Sequence, residues 1–345
     1  MAARHNAKSA LSILSRRLIL QRPRIHPQPA SRCQCRRTVS SQAPRTPLNP
    51  ARGSQEAASR KRASAESMLD LTSLPPSVVE SLIREKRDEF NLLSPTEYYE
   101  SLAAFTLYVR EHDSPFQLFS PSSAAVLHDL GCIVTEASRG SRRGLASVLW
   151  FTAANWGYAA STCSLVAVLA RSGQYGKEAV TAPVERRFRA LVQSSDPVAT
   201  AIQGEILYQQ GKYAEAEAVL GKVMRKGEAG AGALGNWEPN FRLTLGKTLG
   251  RRGKTDQAVA ILRGLSDEGY IEADPELGRL LRGSDPEEAL QYLFKAGCTG
   301  ALGCFEEMAA IELDKAAKAE HSSDEADCRL WAAELARLAD SKAEF

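Results

Sequence analysis

Leu249–Asp256 reads LGRRGKTD, and its Gly253-Lys254-Thr255 matches the end of a phosphate-binding loop. Such a loop uses backbone N–H groups and a lysine to cradle phosphates. It opens with a glycine five residues before the second glycine and follows a strand. Thr248 stands where that first glycine belongs, and the preceding pattern is helical. The stretch therefore reads as a turn between two helices, with Thr255 as the cap of the second. Lys226–Gly235, KGEAGAGALG, has glycines but lacks the strand–turn–helix setting of a dinucleotide site, and reads as a flexible inter-repeat loop. Beyond the first forty residues the histidines are His112, His128 and His321, and none has HExxH-type ligand spacing. His112 falls at a predicted helix end, where an imidazolium suits the dipole. Cys298, Cys304, Cys328 and His321 lack a CxxC knuckle, so small buried cysteines are expected rather than a metal site. No local signature of a Ser/His/Asp or Cys/His nucleophile is present. The expectation is no catalytic residue, no metal, no cofactor and no enzymatic activity.

What must be positioned, then, is a surface. From Ser73 onward the apolar spacing is helical, and strictly alternating β-branched runs are missing. Helix starts are marked by a capping residue followed by proline: Ser94-Pro95 with Glu97 to close a capping box, Ser120-Pro121, Asp196-Pro197, Asp274-Pro275 and Asp285-Pro286. Glycines 140, 173, 211, 253, 269 and 283 mark the stops. These signals predict an all-α chain of roughly a dozen to fourteen helices joined by short turns, so that consecutive helices pack antiparallel.

Two stretches then repeat each other. GEILYQQGKYAEAEAVL (204–220) returns as GKTLGRRGKTDQAVAIL (246–262), sharing Gly204/Gly246, Gly211/Gly253, Ala216/Ala258 and Leu220/Leu262. Small residues on both helices allow close approach, while Tyr213, Ala216, Leu220 and Val223 form one apolar stripe. Each copy is a hairpin with a face it cannot bury alone, and stacking buries it.

Gly204, Gly211, Tyr213 and Ala216, with Leu245, Gly246, Gly253 and Ala258, resemble the tetratricopeptide repeat. The copies lie 42 residues apart, against roughly 34 in that family. Glu228 and Tyr270 replace its closing proline. Ala146–Ser161 (Ala146, Ala153, Ala154, Gly157) and Ala289–Cys304 (Ala289, Tyr292, Lys295, Ala296, Gly300) resemble the related Sel1-like repeat. The resemblance implies an α-solenoid of antiparallel helical hairpins, a tetratricopeptide/Sel1-like superhelix. It implies a protein partner on the groove lined by Glu205, Tyr208, Gln209, Asn240, Lys247 and Arg251. The Lys/Asn/Arg set with which some relatives clamp a terminal carboxylate is not reproduced there. Asp327–Lys342 reads as a capping helix with one polar face.

Charge divides the chain. Residues 1–62 carry 14 Lys/Arg and one acid, Glu56, whereas the rest is net acidic. Ala10–Leu20, ALSILSRRLIL, sets Leu11, Leu14, Leu18 and Ile19 on one side of a helix. An Arg-rich, acid-poor amphipathic start resembles a mitochondrial transit peptide, with processing near Val39/Ser40. Residues 1–40 are assigned to that leader, 41–70 to a disordered linker and 71–345 to the repeat domain. Sparse cysteines without twin nine-residue pairs favour the matrix over the intermembrane space. Gly144–Ala170 has no charged residue, yet Asn155 and Trp156-Gly157-Tyr158 break it into two helices, so a buried hairpin is expected and no integral membrane span. The basic doublets Arg142-Arg143, Arg186-Arg187, Arg225-Lys226 and Arg251-Arg252 suit helix C-termini. Lined along one edge they would instead grip RNA, although aromatic interleaving is poor. The sequence thus points to a mitochondrial interaction scaffold or assembly factor, with RNA binding to organellar transcripts as the alternative.

Overall fold

A computed structural model describes residues 69–72, 74–111, 123–138, 143–227 and 234–340. The proposed leader, nearly all of the linker, His112, Ser120-Pro121, Gly140, Arg142 and most of the glycine-rich insertion lie outside the described residues. Every regular element among those described is helical. The fourteen α-helices among the described residues divide between two compact units, with the boundary in sequence between Ala190 and Leu191.

The first unit holds α1 (Pro76–Glu85), α2 (Pro95–Glu111), α3 (Ala124–Ala137), α4 (Arg143–Asn155), α5 (Ala159–Arg171) and the greater part of α6 (Ala182–Gln193). Helix α2 starts where expected: the Ser94 N–H donates to Glu97 Oε2 at 2.8 Å and the Glu97 N–H to Ser94 Oγ at 3.4 Å, a reciprocal capping box. The uncharged stretch is two 13-residue helices, α4 and α5, turning at Gly157 with φ +89°. Almost all of α4 from Gly144 to Ala154 is buried. Among the described residues no helix is long and apolar enough to cross a membrane. The close approach of α3 to α4 needs Gly131, where an added Cβ would sit 2.3 Å from Trp150 Nε1. Arg187 donates to the Ala154 and Asn155 carbonyls at the end of α4, at 2.5 and 3.1 Å. One member of a basic doublet thus satisfies helix-terminal carbonyls.

The second unit stacks four antiparallel hairpins, the α-solenoid class: α7 (Pro197–Gln209) with α8 (Tyr213–Gly227), α9 (Glu238–Arg251) with α10 (Thr255–Asp267), α11 (Asp274–Leu281) with α12 (Pro286–Cys298), and α13 (Gly303–Ala316) with α14 (Ser322–Ala339). The repeated words translate into one repeated contact. A Cβ on Gly204 would lie 2.4 Å from Leu220, and one on Gly246 2.8 Å from Leu262. The third hairpin does the same with Gly278 and Leu293, at 2.5 Å. The register of the second helices is therefore Ala216/Leu220/Val223, Ala258/Leu262/Leu265 and Ala289/Leu293/Ala296, all of them buried. The shift from the first copy to the second is 42 residues and from the second to the third 31. A fixed repeat length therefore misses the third copy.

Caps divide into those that form and those that do not. Asp196 accepts from the Ala199 N–H at 2.8 Å and Asp285 from the Glu288 N–H at 3.0 Å. Asp274 does not cap: it is the first residue of α11, Ala273 occupies the cap position, and its side chain is fully buried. There it accepts from Ser266 Oγ at 2.5 Å and pairs with Lys295 Nζ at 3.2 Å, tying α10, α11 and α12 together. An interhelical partner for the carboxylate replaced the local one. Thr255 likewise is the first residue of α10, and Lys254 holds the cap position without a side-chain bond. Helix α14 also departs from its reading. Ala332 and Leu335 are buried, but Leu330 is 63% and Trp331 64% exposed, so its outer side is not simply polar.

Candidate functional site

Two places gather side chains with chemistry. In the first unit, His128 and Cys132 are one turn apart on α3, with His128 Nε2 3.7 Å from Cys132 Sγ and Nδ1 3.1 Å from Ser161 Oγ on α5. The His128 carbonyl accepts from Trp150 Nε1 at 3.2 Å, and the Tyr158 ring lies 5.5 Å from the imidazole. Beside them the Tyr98 hydroxyl donates to Asp129 at 2.7 Å. Burial pushes His128 down to about 4 and the Cys132 thiol up to about 12. At neutral pH this pair is an uncharged imidazole beside a protonated thiol, the reverse of an activated nucleophile. Its consequence is for stability. With a folded value near 4 and an unfolded value near 6.5, the unfolded chain binds more protons between those limits. Stability is therefore retained above about pH 6.5 and lost as pH falls toward 4. Denaturant titrations at pH 7 and pH 4.5 should show a loss that His128→Gln reduces by about 2 kcal/mol. Equal losses in both proteins would refute the assignment.

The second place is the side of the solenoid formed by first helices α7, α9, α11 and α13. Glu205, Tyr208 and Gln209 sit on α7, and Asn240, Lys247 and Arg251 on α9. The α7–α9 packing brings Tyr208 and Arg251 together: the tyrosine hydroxyl beside the guanidinium is the main cause of the arginine's raised pKa. The Tyr208 ring also lies 5.5 Å from Tyr213. Gln209 Nε2 is 3.4 Å from Glu205 Oε1. Lys247 reaches the next first helix, with Nζ 3.5 Å from Glu276. Asn240 is set apart, exposed at the start of α9 and about 10 Å along the axis from Lys247.

The sequence reading did not include the residues that continue this side. Glu276 also pairs with Arg279 at 3.0 Å, and Arg279 forks onto both oxygens of Glu307 on α13 at 2.7–3.0 Å. Arg282 joins Asp314 at 2.5 Å. The one available signal was the Gly278/Ala289/Leu293 spacing, which marks α11 as a first helix. Cations and carboxylates thus alternate from α9 to α13. Arg251 has a neutral partner in Tyr208, with Glu276 acting on it only as a nearby charge.

Comparison with known families agrees with this geometry. The tetratricopeptide repeat model matches residues 197–222 and 239–263, which are α7 with most of α8, and α9 with most of α10. Residues 197–263 are a tetratricopeptide-type helical repeat pair. Repeats of this kind serve in general as protein-interaction scaffolds, and protein partners are the class they indicate. No curated protein matches the chain.

Proposed function

We propose that this chain is a mitochondrial scaffold or assembly factor that holds a protein partner on the face built by α7, α9, α11 and α13. The observation that carries the reading is the juxtaposition of Tyr208 and Arg251 on consecutive first helices, flanked by the Lys247–Glu276 ion pair. It creates a polar, hydrogen-bonding surface with an aromatic member and fixed side chains, which lowers the ordering cost of docking. The alternation of charge along the same helices supports a polar protein surface over RNA, since phosphate binding needs cations whose charge is not already matched. The mitochondrial matrix location rests on the arginine-rich, acid-poor leader and the sparse cysteines. The Sel1-like likeness of 146–161 and 289–304 supports reading the helices outside 197–263 as further interaction repeats.

Tyr208→Ala with Arg251→Glu should weaken the captured partner by about tenfold or more while leaving thermal unfolding nearly unchanged. The measurement is quantitative affinity capture from mitochondria, with the affinity of the recovered partner then determined against both purified proteins. An identical partner set at identical affinity removes the proposed face. Retention of an RNA fraction whose binding falls steeply with salt would favour the transcript reading instead.

A further inference from the structure

We propose that the first unit carries a second, separate surface, made by the outer side of α6 and the α4–α5 turn, and that this surface rests on an anionic phospholipid membrane. Charge marks the place. Residues 143–193 carry six Arg/Lys and two Glu, in a chain that is net acidic beyond residue 62. One of the two acids, Glu185, is buried and accepts from Thr181 Oγ1 at 2.7 Å and the Gly176 N–H at 3.1 Å. Val184, Glu185 and Phe188 form the inward side of α6. Helical spacing sets Arg186 opposite them, with Arg187 and Arg189 on its two flanks, and all three are exposed. No acid is exposed on this helix. Arg187 bonds the Ala154 and Asn155 carbonyls, and Arg189 the Glu185 carbonyl at 3.3 Å, so their partners are neutral. Among the described residues no carboxylate forms an ion pair with any of the three, whereas Arg279 and Arg282 in the solenoid each meet one. Cations left unmatched on one surface suit an anionic partner.

The adjoining turn selects the kind of anion. Arg187 ties α6 to the Asn155 carbonyl, and the next residue, Trp156, is exposed together with Gly157, Ala159 and Ala160. The turn lies within the uncharged stretch Gly144–Ala170. Asn155 turns its amide to the Phe151 carbonyl at 2.9 Å, and the half-buried Tyr158 ring lies tilted against His128. The turn therefore offers one indole and small apolar groups, with no free amide to read a base edge and no second ring on which to stack a base. Binding of single-stranded RNA combines a basic groove with successive aromatic platforms. A bilayer surface uses what is present: a tryptophan at headgroup level, an apolar turn beside it and cations set against anionic headgroups. The docking is peripheral, because no helix among the described residues is long and apolar enough to cross a membrane.

Tryptophan quenching of the full chain by vesicles of phosphatidylcholine and phosphatidylglycerol with brominated acyl chains tests this. The basic residues before 63 can themselves hold the chain to such vesicles, so the readout is made local to Trp156. Wild type should be quenched. Trp156→Phe, which keeps Trp150, Trp237 and Trp331, should lose a major part of that quenching. Arg186→Glu with Arg189→Glu should raise the vesicle concentration needed for the Trp156 signal by about tenfold or more, with thermal unfolding unchanged because both side chains stand in water. Added salt should act in the same direction. A Trp156→Phe protein quenched as strongly as wild type overturns the proposal, as does an arginine variant that behaves like wild type. Equal quenching by brominated phosphatidylcholine alone overturns the anionic requirement and the proposal with it. A uridylate oligonucleotide that quenches Trp156 while the vesicles do not would show that the surface takes RNA, and also overturns it. None of these readouts involves Tyr208 or Arg251, so the result stands apart from the first-helix face.

Discussion

Gly204→Val should destabilise the second unit by about 3 kcal/mol, at the upper end of what overpacking costs. Its β-carbon alone would stand 2.4 Å from Leu220 Cδ2 and 2.6 Å from Cγ. Leu220 is itself fully buried in the cluster with Val223, Phe241 and Leu245, so it has no open rotamer to move into. Valine adds two methyl groups to that collision and loses side-chain freedom in the helix. Gly204→Ala isolates the smaller clash, and its gain of about 1 kcal/mol in helix propensity partly offsets the strain. Pairing Gly204→Ala with Leu220→Ala should give a cost well below the sum of the single changes, because the two residues share one volume. Gly246→Ala with Leu262→Ala should reproduce this non-additivity in the second hairpin. Chemical denaturation of the set measures it, and strictly additive values would contradict the contact.

Lys295→Met should cost about 3 kcal/mol and exceed the effect of Ser266→Ala. Asp274 is fully buried, and its Oδ2 makes no hydrogen bond, although Lys295 Nζ stands 3.2 Å away as an ion-pair partner. Ser266 donates to Oδ1, and Lys295 in turn donates to Ser266 Oγ at 3.0 Å. Removing the ammonium leaves a carboxylate in the interior with one hydroxyl for company, and an unpaired buried charge is among the most destabilising changes available. The lysine side chain is 47% exposed, so water already screens part of the pair, which holds the figure at the low end of the usual range. Adding Asp274→Asn to Lys295→Met should recover much of the loss. Thermal and urea unfolding of the three proteins test this, and a double variant no more stable than Lys295→Met would refute the reading.

Helix type and hairpin pairing were legible because their causes are local. Ser94 and Glu97 close a box within four residues, Asp196 and Asp285 reach N–H groups three residues on, and Gly157 turns α4 into α5 in place. The same logic failed at Asp274 and Thr255, where the residue type suited a cap. Nearby sequence could not register that Ser266 and Lys295 would claim the Asp274 carboxylate from two other helices. The helices of the third hairpin were marked by Asp274-Pro275, Gly283 and Asp285-Pro286, but its share in the glycine–leucine register escaped the sequence for a related reason. Gly278, Ala289 and Leu293 repeat the contact after 31–32 residues rather than 42, and only packing shows that the unequal spacing is absorbed in the turns.

On the candidate face, sequence analogy named six residues on two helices. Folding brought Tyr208 beside Arg251 and Lys247 beside Glu276, left Asn240 at the far end, and continued the row through Arg279 and Glu307. By itself, then, the sequence determined an all-helical chain, its hairpins and the glycine–leucine seams inside them, because periodicity, caps and turns act over a few residues. Only the tertiary structure decided which charges meet, which acid is buried and which side of α14 is left bare. Those outcomes depend on how successive hairpins rotate against each other, a sum of packing contacts between helices that no single stretch of sequence contains.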